Sequence, residues 1–97
     1  MPSYLTLGNW TEQGIRNVKE GPQRLDAVKK AAEDAGGRLI FFYMTMGQYD
    51  FAALLEMPDD DSAARLLLTL GGQGNIRTTT LRAFTEDEYV ALTGSIQ

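Results

Sequence analysis

The period of the apolar positions changes along the chain, and each change marks an element. Tyr4 to Leu7 alternates and runs into Gly8-Asn9, which predicts a short strand ending in a loop. Thr11 then caps a helical turn reaching Val18, and Gly21-Pro22 interrupts the pattern. Leu25, Val28, Ala31, Ala32 and Ala35 follow at helical spacing until Gly36-Gly37, predicting an amphipathic helix that lays one apolar stripe on a sheet.

Arg38 to Met46 reads as a strand with two apolar faces. Alternation puts Leu39, Phe41 and Tyr43 on one side and Ile40, Phe42, Met44 and Met46 on the other. A Gly47-Gln48 turn leads to a second strand from Tyr49 to Met57. Pro58-Asp59 opens another helix with Asp59 as its cap, and the carboxylates beside it suit the positive end of the helix dipole. Ala63, Ala64, Leu66, Leu67, Leu68 and Leu70 cover more than a narrow stripe, which predicts a well-buried helix ended by Gly71, Gly72 and Gly74. Asn75 to Phe84, rich in β-branched residues, is the last strand, and Thr85 caps a short terminal helix from Glu86 to Leu92.

The order β-α-β-β-α-β predicts an α+β fold of the ferredoxin-like sandwich type, with both crossover helices on one face of an antiparallel sheet. Two helices cover one face only. The other face, equally apolar, predicts a second protomer as its cover, and a patch of several hundred Å² is worth on the order of 10 kcal/mol of gross apolar transfer at about 25 cal/mol per Å².

Composition narrows the chemistry. The 97 residues suit one domain, and 43% apolar with 23% charged residues is ordinary for a globular chain, so it is expected to fold. A net charge of −4 argues against a nucleic-acid partner, which needs a clustered excess of Lys and Arg. With neither Cys nor His, the chain forms no disulfide and lacks Ser-His-Asp catalysis, Cys-His catalysis and histidine-held haem. The start Met1-Pro2-Ser3-Tyr4 has no signal-peptide pattern, and no apolar run approaches the roughly 20 residues that span a bilayer, so a cytoplasmic location without a membrane partner is expected.

Several residues could line a small-molecule site. Asp50, beside a tight turn, can bind a ligand amine or accept backbone N–H bonds that fix the hairpin. Tyr43 and Tyr49 flank the same turn with phenolic donors. Trp10 and Thr11 open a polar and aromatic segment in which Gly14 lets backbone N–H groups approach an anion. Arg24 and Arg77 can each hold a carboxylate or pair with Asp50 or Glu56, and Arg77 is preferred because Thr79 shares its strand face. The Asp59-Asp60-Asp61 triplet is read as structural, because consecutive carboxylates at a helix start diverge, and no metal or cofactor is expected.

Tyr4-Leu5-Thr6-Leu7, Trp10 to Asn17, Tyr43, Gly47-Gln48-Tyr49-Asp50, Pro58-Asp59 and Gly74 to Thr80 together resemble the GYD domain family across nearly the whole chain. One departure is visible: Gln48 stands inside the Gly-Tyr-Asp that names the family. The resemblance implies a dimeric α/β barrel, one GYD-type domain over residues 1–97 with a body near 3–85 and a short helix and tail at 86–97, and assigns no biochemical role. Gly47, Asp50, Gly74, Thr78 and Thr80 are also loosely similar to the effector-binding domains of the leucine-responsive regulator family, where a small-molecule site lies between protomers. Two functions follow. The preferred one is a non-catalytic ligand-binding or assembly module with a pocket near the protomer interface, forming a homodimer or higher homo-oligomer. The alternative is a small cofactor-independent enzyme, of isomerase or oxygenase type, with Asp50 or a tyrosine as its acid-base group.

Overall fold

The computed structural model describes all residues from Met1 to Gln97. Strand β1 is Ser3–Trp10, followed by the short helix α1, Glu12–Arg16, a 3₁₀ turn at Val18–Glu20 and helix α2, Gly21–Asp34. Strands β2, Arg38–Met44, and β3, Phe51–Glu56, precede helix α3, Asp60–Gly72, strand β4, Ile76–Ala83, and helix α4, Glu86–Gly94. The strands lie in the order β2-β3-β1-β4 with every neighbouring pair antiparallel, a ferredoxin-like arrangement. None of the helices is long and apolar enough to cross a membrane.

Local chemistry accounts for the helix starts. Thr11 Oγ1 accepts from Gly14 N at 3.1 Å, and Asp59 Oδ1 accepts from Ser62 N at 2.8 Å. Thr85 and Glu88 form a reciprocal capping box, each side chain accepting the other's backbone N–H. Gly21-Pro22 does not interrupt a helix but begins one: Pro22 sits in the first turn of α2, where its missing N–H has no intrahelical partner to lose.

The register of β1 sorts the sheet into two faces. Tyr4, Thr6, Gly8 and Trp10 look toward the helices together with Phe51, Ala53 and Leu55, and the core gathers there: Tyr4, Leu55 and Met57 pack with Ala32 of α2 and Ala63 and Leu66 of α3. Gly8 is required at its place, since a Cβ there would stand 2.0 Å from the Phe51 ring. Leu5, Leu7, Ala52 and Leu54 therefore face the other way, beside Leu81 of β4.

Strand β2 departs from simple alternation. Leu39 pairs with Leu55 but Phe41 pairs with Leu54, so Ile40 is an extra residue in a β-bulge. Past the bulge the sides exchange, which places Leu39 with Phe42 and Met44 on the helix face and Phe41 with Tyr43 on the open face. The predicted grouping of Leu39 with Phe41 and Tyr43 is thus corrected. The turn is also longer than Gly47-Gln48: residues 45–50 form a loop, closed by Thr45 N donating to Asp50 O at 2.8 Å and Thr45 Oγ1 donating to Tyr49 O at 2.6 Å.

Helix α3 is less covered than its leucines suggest. Ala63 and Leu66 are buried, Leu67 and Leu70 are half-buried, and Leu68 is 77% exposed, because a helix resting on one sheet face hides only the stripe turned toward it. Helix α4 buries no residue at all. The radius of gyration, 14.6 Å, exceeds the roughly 12.5 Å usual for this length, and the extents of 52 × 31 × 18 Å describe an elongated particle.

Candidate functional site

Both helices rest on the sheet, but between them runs a groove of about 460 Å³. Its floor is Thr6, Phe42, Phe51 and Ala53; Leu25, Val28 and Ala31 of α2 form one wall, and Leu66, Leu67 and Leu70 of α3 the other. Three aromatic rings run along the floor. Phe42 and Phe51 stack with centroids 5.4 Å apart, and Trp10 lies 6.2 Å from Phe51, tilted by 49°. Trp10, Asn75, Ile76 and Thr78 also line the groove, and Arg24 is the one charged side chain among its lining residues.

The structure uses much of the predicted polar machinery to tie loops together. Asp50 Oδ2 accepts from Trp10 N at 3.0 Å and from Asn9 Nδ2 at 3.5 Å, while Asn9 Nδ2 also donates to Gln48 O at 3.0 Å and Asp50 N donates to Gly8 O at 2.8 Å. The Gly47-Gln48-Tyr49-Asp50 segment thereby fastens the β2–β3 loop to the end of β1. Thr11 does the same for the opposite loop: its Oγ1 donates to Gly74 O at 2.6 Å and its N to Asn75 O at 3.0 Å, and Gln13 Nε2 donates to Asn75 Oδ1 at 3.0 Å. Gly14 lets these segments touch, since a Cβ on it would fall 1.9 Å from Asn75 O. The two motif stretches, Trp10 to Asn17 and Gly74 to Thr80, are neighbours through these bonds.

The remaining predicted site residues lie elsewhere. Tyr43, 64% exposed, packs beside Phe41 with ring centroids 5.1 Å apart, on the face away from the helices. Arg77 and Thr79 are exposed on that face too, opposite Asn9 and Leu7. Neither predicted arginine pairing forms: Arg24 Nη1 donates to Asn17 O at 3.1 Å and approaches Glu20 at 3.7 Å, and Glu56 is held by Arg38 at 2.7 Å. Of Trp10, Thr11, Tyr43, Tyr49, Asp50, Arg77 and Thr79, only Trp10 lines the groove.

A second polar cluster was not foreseen. Tyr4 Oη donates to Asp60 Oδ1 at 2.5 Å from under the start of α3, and burial, aided by the Asp60 carboxylate, pushes the phenol up to about 12. Arg82 lies over the Phe84 ring at 4.5 Å, closer than to Tyr4, whose ring centre is 5.8 Å away. An open notch beside it is lined by Pro2, Pro58, Asp59, Asp60, Asp61 and Arg82. Two of its three carboxylates are engaged separately: Asp59 caps α3, with its carboxyl held below the usual range by the Ser62 N–H, and Asp60 serves Tyr4. They do not converge into a metal-binding group. The only sequence sign of this contact was a carboxylate in the first turn of α3, 56 residues from its phenol.

Comparison with known proteins gives one consistent picture. The family described as GYD domain matches residues 4–92. A curated relative from Thermus thermophilus, named glutamine synthetase and cystathionine beta-lyase binding protein, is 32% identical over 92 residues, covering 94% of this chain and 97% of the relative. The crystal structure of TTHA0845, also from Thermus thermophilus, superposes with a TM-score of 0.54 at 23% identity, covering 88% of this chain and 95% of that one, a likeness of fold.

Proposed function

The chain belongs to the GYD domain family, and from that premise we propose that it is a binding and assembly module whose bare sheet face docks a second copy of itself. The observation that carries this reading is the face formed by Leu5, Leu7, Ala52, Leu54, Phe41 and Leu81, apolar, turned away from both crossover helices, half-buried at five positions and exposed at Leu81. Water is a poor partner for such a surface. Four strands of six to eight residues give a face of roughly 19 by 20–26 Å, about half of the ~800 Å² per partner that stable complexes commonly bury. Helix α4, with Tyr89, Val90 and Leu92 all exposed, supplies apolar area for the remainder. In this reading residues 1–97 act as one GYD-type domain in the cytoplasm.

The relative's name describes a protein that binds two enzymes, and we extend this to the present chain as a docking module for a metabolic enzyme. Tyr43, Arg77 and Thr79 stand on the docking face and are retained as contacts for a partner or a small molecule at the protomer interface. Asp50 is disfavoured as the acid-base group of the enzymatic alternative, because its carboxylate is committed to the Trp10 N–H and Asn9. Isotope-filtered NOE spectroscopy on a mixture of labelled and unlabelled protein tests the docking. Intermolecular contacts among the methyls of Leu5, Leu7, Leu54 and Leu81 are expected; contacts confined to the helices would refute the proposed face.

A further inference from the structure

We propose that the groove between α2 and α3 is a binding site for a small molecule with a planar apolar body and one anionic group. This site is separate from the docking face and stands whether or not the chain dimerises. Three observations carry it. The volume, about 460 Å³, falls within the range of roughly 300–1,000 Å³ that holds small organic ligands. Its floor is a row of rings, Phe42, Phe51 and Trp10, whose spacing and partial stacking suit a flat apolar body laid along them.

The third observation is charge. In a protein of net charge −4, the one charged side chain lining the groove is the cation Arg24. It stands at the Trp10 and Asn75 end, since its Nη2 reaches Gly14 O at 3.5 Å and Gly14 packs on Asn75. A guanidinium has five N–H donors, and the two used here, on Asn17 O and Gly14 O, leave others for a carboxylate or sulfonate. Glu20, 3.7 Å away with its side chain 69% exposed, neutralises it only weakly. Thr78 and Trp10 line the same groove, and their side chains carry a hydroxyl and an indole N–H.

A matched pair of fluorescent probes tests the proposal on the intact chain: 8-anilinonaphthalene-1-sulfonate, which is anionic, and N-phenyl-1-naphthylamine, its neutral counterpart. The anionic probe is expected to bind with one site per chain and about tenfold more tightly than the neutral one, a preference lost in Arg24→Gln and kept in Arg24→Lys. Val28→Trp, which fills the groove from α2, is expected to weaken both probes, whereas Lys30→Gln, on the solvent side of α2 and outside the groove lining, leaves both unchanged. Equal affinity of the two probes for the unaltered protein would overturn the anionic specificity without need of any variant. Full binding of both probes by Val28→Trp would overturn the location. An affinity that falls as protein concentration rises would show a second copy filling the groove, and would overturn the small-molecule reading while leaving self-assembly intact.

Discussion

The two faces of the sheet are built from the same residue types and meet different fates. On the helix face, Tyr4 and Leu55 are buried under Ala32, Ala63 and Leu66, and the gap that remains is bounded by two helices and floored by aromatic rings. On the other face, Leu5, Leu7 and Leu54 are only half-buried, and Tyr43 and Leu81 are exposed. Hydrophobicity alone therefore does not locate the core. What separates the faces is which one receives the crossover helices: one face is packed within the chain, and the other is the face proposed for association.

Substitutions at matched positions break or sharpen this contrast. The largest expected effect on association is from Leu7→Glu, at the centre of the open face: an unpaired carboxylate there is expected to weaken self-association at least a hundredfold, about 3 kcal/mol, with the far-ultraviolet circular dichroism unchanged. Leu55→Ala, 3% exposed on the opposite face, is expected to cost about 2–5 kcal/mol in urea unfolding. Its chain neighbour Leu54→Ala is expected to spare the fold and weaken association instead; equal effects of the two would collapse the distinction between the faces. Gly8→Ala drives a methyl into the Phe51 ring, with an expected loss of about 1–3 kcal/mol and weaker binding of an aromatic probe in the groove.

The smallest effect is a pH dependence. Because burial and Asp60 raise the Tyr4 phenol from 10.0 to about 12, its neutral form favours the folded state; that contribution is complete below pH 10 and is lost as pH rises through about 12. Thermal melts of Tyr4→Phe are therefore expected to show less alkaline destabilisation in this window than the unaltered protein. An identical alkaline decline in both would place its origin elsewhere.

Helix starts were the most legible part of the sequence, because a cap is a contact across three residues: Thr11, Asp59 and Thr85 all cap as read. The strand order followed from element order. The bulge at Ile40 left no mark, since Arg38 to Met44 is apolar on both sides and a shifted alternation looks the same as an unshifted one. Counting leucines overstated the cover on α3, because composition does not tell how wide a stripe the sheet can reach. The groove was missed for a related reason: it is a gap between two helices that are far apart in the chain, and polar residues near turns do not point to it. Asp50 and Thr11 are instead engaged by backbone N–H and C=O groups of distant segments, contacts that local spacing does not reveal.

Sedimentation equilibrium of the unaltered protein beside Leu7→Glu is the most direct measurement of whether a second copy covers the open sheet face. Two-chain particles for the former and folded single chains for the latter are predicted at micromolar concentration. A folded single chain for the unaltered protein throughout that range would contradict the account.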